Sequence, residues 1–374
     1  MRIGIIGLGK LGLPLAAVLG QAYDIVGIDT NEELINKLKH WDNLYEEPQL
    51  VEYLDAAELE VYSEYKYLKH CEIIFIIVPT PSMNDGKFSS KYIEKAIEGI
   101  NKHAKECKII NIVSTVMPGT CDRLQKKTSK KITYNPEFIA LGNVIHGIIH
   151  PDFVMIGSQW PWAIEKLKKI YDRIISPVPI IQTMELKEAE IAKIALNSYV
   201  TMKISFANVI GEIAEKYKVN PDHITRAIGC DKRIGHMFFK AGSAYGGPCF
   251  PRDNRAFKMI AKDIPNYAGK TDEINKYQTD RLVKKLKKYK YITIWGMSYK
   301  NGTSITEESA GSKLKEELEK YVGKKITEDE IKDETEAIVF MLPKTDQSIF
   351  AKWQAGMKKQ FPNIKEIIDL WRDK

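Results

Sequence analysis

Cysteine is scarce: Cys71, Cys107, Cys121, Cys230 and Cys249 are the only five in 374 residues, an odd number, widely scattered, with no Cys-x-x-Cys pair. That pattern signals neither a disulfide framework nor a zinc site, so free thiols and no metal centre are expected. No run approaches the roughly 18 apolar residues that cross a bilayer. Met1-Arg2 leads straight into a strand-like run, without the apolar core and cleavage site of a secretion signal, so a cytoplasmic protein with no membrane partner is expected. A charge of one sign is also missing. Lys and Arg number 56 against 49 Asp and Glu, a net +7, and the signs interleave, as in Lys313-Leu-Lys-Glu-Glu-Leu-Glu-Lys320. Most of this reads as solvated helix surface; it requires no nucleic acid, although a phosphate-bearing ligand would use part of it. With 44% hydrophobic and 28% charged residues the chain is an ordinary globular one, long enough for two or three domains.

What is present is alternation. Residues 2–9 form a short apolar run closing in glycines, 11–19 have helical spacing, and 24–29 read as a second strand: a βαβ unit. Buried-strand runs recur at 72–78 and 108–113, separated by a helical pattern over 90–104, which argues for a parallel sheet. A turn-rich stretch at 176–179, after a helical segment over 162–173, marks the expected end of this domain. From 185 to about 217 only Gly211 interrupts an apolar periodicity that reads as one long helix, a natural connector or dimer surface. Helical spacing over 272–289 and strand-like runs at 291–296, 337–342 and 366–369 then give a second, smaller α/β unit. The expected fold class is α/β: two Rossmann-like, doubly wound domains joined by a long central helix, divided as 1–180, 181–284 and 285–374.

Three constellations carry chemistry. Gly7-Leu8-Gly9-Lys10-Leu11-Gly12 fits G-x-G-x-x-G between a strand and a helix, where glycines admit a tight turn, a pyrophosphate and close helix packing. Asp29 follows Gly7 by 22 residues, the spacing of a carboxylate that takes a ribose diol, and no arginine follows it, which favours NAD over NADP. Second, Gly246-Gly-Pro-Cys249-Phe-Pro-Arg-Asp253 suggests a tight turn into a helix, placing Cys249 near a helix amino end, where a thiolate is favoured, and Asp253 one turn along. Third, Lys193 and Asn197 share a face of the long helix, suited to holding an oxygen at a reacting carbon. Thr115 and Glu137 follow sheet strands, where open α/β sheets place ligands. A hydride acceptor beside a nucleophilic thiol suits a four-electron oxidation of an alcohol to an acid through a thiohemiacetal and a thioester.

These residues resemble the nucleotide-sugar 6-dehydrogenases, the UDP-glucose/GDP-mannose dehydrogenase family. The resemblance runs from Met1 to about residue 310 through Gly7-x-Gly-x-x-Gly12, Val78-Pro79-Thr80-Pro81, Ser114-Thr115-Val116, Asn135-Pro-Glu-Phe138, an Ala-Glu-x-x-Lys-x-x-x-Asn run ending at Asn197, Arg233-Ile-Gly235, Gly246-Gly-x-Cys249 and Gly296-x-x-Tyr299-Lys300. It implies NAD as cofactor, a nucleotide-sugar substrate and a homodimer built on the central helix. Cys249 would be the nucleophile; Asp253 and Lys193 would assist proton movement, Asn197 would hold the oxygen, and Glu137 with Thr115 would activate water. Residues 7–12, Asp29, Val78, Pro79, Thr80, Pro81, Ser114 and Val116 would line the cofactor. Phe138, Ile139, Arg233 (from the partner subunit), Phe239, Lys240, Tyr245, Gly246, Tyr299 and Lys300 would bind substrate. Arg233 stands 16 residues before Cys249, most like the UDP-glucose branch, so UDP-glucose to UDP-glucuronate is the expected reaction. The alternatives are a two-electron β-hydroxyacid dehydrogenase, which needs no Cys249, and an NAD-binding protein without turnover. The chain departs from the family pattern at Leu34, Leu141 and Glu307, where a basic, an acidic and an arginine residue are usual; Arg372 is its match for a terminal substrate-clamping arginine.

Overall fold

In the computed structural model the described residues are 1–40, 46–175, 179–343, 356–357 and 359–372. Of the turn expected at 176–179, only Pro179 lies among them. The chain divides into two compact units, Met1–Ile194 and Ala195–Lys374.

The first unit is built on β1 (Arg2–Ile6), β2 (Asp24–Ile28), β3 (Leu59–Tyr62), β4 (Ile73–Ile76), β5 (Ile109–Ile112), β6 (Lys131–Tyr134), β7 (Phe153–Gly157) and β8 (Ile180–Met184), in the order β3-β2-β1-β4-β5-β6-β7-β8. Pairing is parallel except between β6 and β7. The central strands are apolar on both faces because helices cover both. Ile3, Ile5, Ile73 and Phe75 enter one core, and Ile6, Ile74, Ile76 and Ile112 enter the other. The helix Gly12–Leu19 is buried along its whole length, whereas Lys91–His103 buries only a stripe, Ile93, Ala96, Ile97 and Ile100. Strands β3, β6, β7 and β8 escaped the sequence reading. β3 and β8 are short and partly exposed, so their residues carry no clear apolar run.

The second unit holds most of the long helix Leu186–Tyr217, then the helices Pro221–Gly229, Phe250–Ile260 and Ala268–Leu286. A parallel sheet follows, ordered β10-β9-β11-β12, from β9 (Tyr291–Trp295), β10 (Lys325–Glu328), β11 (Ala337–Phe340) and β12 (Glu366–Asp369). Its core gathers Leu282, Leu286, Ile294, Leu314, Leu318 and Val339.

The two sheets open alike. In each, the first strand pairs with its immediate successor on one side and with a later strand on the other, β4 for β1 and β11 for β9, and ends at a glycine with positive φ, 96° at Gly7 and 92° at Gly296. In each, an aspartate just past the neighbouring strand accepts a hydrogen bond from the loop, Asp29 from the Leu8 amide at 2.9 Å and Asp329 from the Gly296 amide at 2.5 Å. The two units are thus built on one pattern, the doubly wound arrangement expected from the alternating runs.

Candidate active site

The glycine loop after β1 is shaped by close backbone approach. A Cβ on Gly12 would lie 1.8 Å from the Gly7 carbonyl oxygen, and one on Gly7 would lie 2.2 Å from the Ile77 oxygen, so neither position accepts a side chain. A Cβ on Gly9 would meet no protein atom within 4 Å. That open side is the cradle into which a pyrophosphate fits, at the amino end of Gly12–Leu19. Each Asp29 carboxyl oxygen accepts one amide, Oδ2 from Leu8 and Oδ1 from Asn31, both at 2.9 Å, which leaves a lone pair on each for a ribose diol. The residues therefore fit a dinucleotide. Lys10 is exposed and Leu11 half-buried. Leu34 and Leu141, where the family pattern carries charge, instead pack against the apolar core.

The ends of β4 and β5 are stapled together by Ser114. Its hydroxyl donates to the Val78 carbonyl at 2.7 Å and accepts from the Val78 amide at 2.9 Å, while Thr80 donates to the Thr115 carbonyl at 2.8 Å. These bonds fix Val78, Thr80 and Thr115, with Pro79 and Pro81 on either side of Thr80, and Val116 is buried. The Thr115 loop is tied in turn by Glu190, fully buried on the long helix, whose carboxylate accepts from the Gly119 amide at 2.5 Å and the Cys121 amide at 2.7 Å. An anion there satisfies the orphan amides of the following helix.

Glu137 stands after β6. The residue keeps some exposed surface, but its carboxyl is enclosed, and burial pushes it up to about 7 against the opposing pull of the Lys193 ammonium and a hydrogen bond with Tyr171. Lys193 is 8% exposed, donates to the Glu137 carbonyl at 2.6 Å and lies 4.6 Å from the centre of the Phe138 ring. Phe138 also packs on Phe153, and Ile139 packs against the core beside Gly147.

In the second unit, Cys249 is the N-cap of Phe250–Ile260, with Pro251 in the first turn, where no intrahelical amide is needed. Its carbonyl accepts from the Asp253 amide at 2.8 Å. Cys249 is exposed, whereas burial pushes the thiols of Cys71 and Cys107 up to about 12 and holds that of Cys121 well above its ordinary value; Cys230 is exposed but caps the opposite, carboxyl end of a helix. One turn beyond Cys249, Asp253 is 1% exposed and accepts from Asn197 Nδ2 at 2.6 Å. The paired glycines before the cysteine have a packing reason. A Cβ on Gly246 would meet the Glu308 carbonyl at 2.4 Å, and one on Gly247, whose φ is 85°, would meet the Tyr299 ring at 2.5 Å. Burial, with the adjacent Cys249 second, pushes the Tyr299 hydroxyl up to about 12, and Lys300 extends over the same ring.

Two residues that the sequence left unremarked hold this turn. Asn254, fully buried, accepts from Ser198 at 2.8 Å and donates to the Ala268 carbonyl at 2.9 Å and Asp272 at 2.8 Å. Arg255 grips Glu308 with both terminal nitrogens, at 3.0 and 2.6 Å. Both follow the motif directly, but their partners lie far along the chain. Tyr245, expected to touch substrate, turns its hydroxyl inward to Asp272 at 2.5 Å. Phe239 is buried, Lys240 exposed, and Arg233 is exposed and paired with Asp231 at 2.6 Å. Arg372 bonds Asp222 at 2.8 Å and the Ala241 carbonyl at 2.5 Å, and Glu307 is exposed.

Comparison with known proteins agrees with this layout. Residues 1–175 match the NAD binding domain, and residues 187–277 the central domain, of the UDP-glucose/GDP-mannose dehydrogenase family. A putative UDP-glucose 6-dehydrogenase, YtcA, of Bacillus subtilis is 33% identical over 340 residues, covering 85% of this chain and 79% of its own; the UDP-glucose 6-dehydrogenase of Rickettsia felis is 31% identical, covering 81% and 72%. A UDP-glucose dehydrogenase structure from Pyrobaculum islandicum superposes with a TM-score of 0.86 at 24% identity, over 100% of this chain and 94% of its own. A UDP-D-ManNAc dehydrogenase from Pyrococcus horikoshii gives 0.87 at 23%, over 100% and 96%. Among the described residues no helix is long and apolar enough to cross a membrane. The chain belongs to the UDP-glucose/GDP-mannose dehydrogenase family of NAD-dependent oxidoreductases.

Proposed function

We propose that the protein oxidises the C6 hydroxyl of UDP-glucose to the carboxylate of UDP-glucuronate, consuming two NAD per sugar. The observation that carries this reading is Cys249: exposed, at the amino end of a helix, with the buried Asp253–Asn197 pair one turn away, while Cys71, Cys107 and Cys121 are buried. NAD, when bound, supplies the hydride acceptor for both oxidations. Cys249, as thiolate, adds to the aldehyde carbon left by the first oxidation, and the C–S bond makes a thiohemiacetal. Loss of a second hydride turns this into a thioester. Glu137, titrating near neutral pH, takes a proton from water as it attacks the thioester carbon; the C–S bond breaks and the Cys249 thiolate returns. Lys193 and Asn197 are donors suited to the developing oxygen charge, Asp253 assists proton movement, and Thr115 orients water. Phe138, Ile139, Phe239, Lys240, Gly246, Tyr299 and Lys300 bind the nucleotide sugar, and the functional segments divide at about residues 180 and 284. The test is the number of NADH formed per UDP-glucose consumed, with limiting sugar and excess NAD. Two supports the four-electron route; one, or none with UDP-glucose but two with another nucleotide sugar, overturns the route or the substrate respectively.

We also propose a cytoplasmic homodimer. On the long helix Tyr199, Phe206 and Ile213 are each about half exposed and recur every seven residues, one face of a helix, with Ile191 and Tyr217 exposed as well. Phe206→Asp combined with Ile213→Asp is expected to halve the mass measured by light scattering. A wild-type chain that already runs as a monomer would remove the proposal.

A further inference from the structure

We propose that Tyr171 is a positioning residue for Glu137: its hydroxyl, set between the Glu137 carboxyl and the Asn135 side-chain amide, keeps that carboxyl bonded in one place in both its ionised and its protonated form. The proposal rests on the reading of Glu137 as the group that activates water.

Tyr171 lies on the helix Pro161–Ile174 with its ring in the core, 3% exposed. Its hydroxyl bonds the Asn135 Oδ1 and the Glu137 side chain. A phenol has one hydrogen and so donates to only one of them at a time. The Asn135 amide cannot turn to follow it. Asn135 Nδ2 donates to the Met155 carbonyl at 2.9 Å, so Oδ1 faces Tyr171 as a permanent acceptor. Asn135 Oδ1 has a second donor, Asn111 Nδ2 at 3.3 Å, and Asn111 is itself fixed by accepting from Thr133 at 2.7 Å. Asn111, Thr133 and Asn135 are all 2% exposed or less.

This arrangement has two states that differ in where the phenol hydrogen points; when it leaves Asn135 Oδ1, the two oxygens it had joined draw apart slightly. With Glu137 ionised, the Tyr171 hydrogen points at the carboxylate and Asn135 Oδ1 remains satisfied by Asn111. With Glu137 protonated, the carboxyl donates to Tyr171 Oη and the phenol hydrogen swings to Asn135 Oδ1. The proton exchanged stays with Glu137 and its water, because an amide oxygen held this way passes none onward. Tyr171 acts as a rotor rather than a proton conduit. The titratable groups acting on Glu137 are the Lys193 ammonium, from the long helix, and Tyr171 itself.

The test is a pH titration of the carboxyl C=O stretch by infrared difference spectroscopy on the cofactor-free protein, with the Glu137 band assigned by its loss in Glu137→Gln. The wild-type midpoint is expected near 7. Tyr171→Phe keeps the ring but removes the donor to the ionised form, so the midpoint is expected to rise by about one unit. Replacing Tyr171 by 3-fluorotyrosine, a stronger donor with the same ring, is expected to lower it; this arm also serves if the phenylalanine variant fails to fold. An unmoved midpoint in either folded variant overturns the proposal. The acidic limb of the kcat profile should move with the midpoint. A midpoint that moves while the profile stays would uphold Tyr171's hold on the carboxyl and overturn the catalytic reading of Glu137.

Discussion

Cys249→Ser is expected to lower acid formation by about 10⁴-fold or more, measured as NADH and as uronate by mass spectrometry. A serine hydroxyl does not ionise near neutral pH and its ester would not follow the thioester route, so the loss falls on chemistry. The fold gives little reason for a structural loss. The side chain is exposed, and the helix Phe250–Ile260 begins from the Cys249 carbonyl, which serine supplies equally. Serine is also a preferred N-cap. The melting temperature and nucleotide-sugar binding should therefore stay near wild type. Acid formation within tenfold of wild type would rule out a covalent role for this residue.

Gly9→Ala and Gly12→Ala should separate cofactor binding from folding. The Gly12 Cβ would sit 1.8 Å from the Gly7 carbonyl oxygen, inside any tolerable contact, so the helix Gly12–Leu19 must back away from β1. That helix is buried along its length, and a shift spreads through the core; a loss of about 3 kcal/mol or more is expected, read as a lower denaturation midpoint. The Gly9 Cβ would meet nothing in the protein and the residue lacks a positive φ, so stability should hold within about 0.5 kcal/mol. Its methyl would occupy the side on which a pyrophosphate approaches, and NADH affinity measured by fluorescence should fall by about 100-fold. Wild-type NADH affinity in Gly9→Ala would place the dinucleotide elsewhere.

Much of this was legible in the chain because it is local. The glycine loop and Asp29 are separated by one βα unit, so their spacing carries the geometry, and β1, β2, β4 and β5 are apolar on both faces and announce themselves as continuous runs. The long helix was read to within a residue of Leu186–Tyr217. The turn at Cys249 was legible from its glycines and prolines, although the reasons those glycines are needed, the Tyr299 ring and the Glu308 carbonyl, lie about fifty to sixty residues downstream. The polar residues that hold the candidate site were not legible. Glu190 sits inside a recognised motif, but its work is to cap a helix roughly seventy residues earlier in sequence. Tyr171 lies on an amphipathic stripe with Ala163, Leu167 and Ile170, and spacing alone assigns it to the core like its neighbours. Tyr245 stands beside the Cys249 turn, and its hydroxyl bonds the half-buried Asp272, a pairing that its place in the sequence does not announce.

The support of the Cys249 turn has a consequence for how the protein is made. Gly246 and Gly247 rest on Glu308 and Tyr299, and Arg255 is neutralised by Glu308, so the turn is complete only after those later residues have left the ribosome and folded. The glycine loop needs nothing beyond the first unit and forms early in translation. A chain interrupted before β9 would carry an assembled dinucleotide loop without a properly seated thiol. With Cys249 in its proposed role, its reactivity would be deferred until synthesis is nearly finished, and an unfinished polypeptide would be spared a partly working centre.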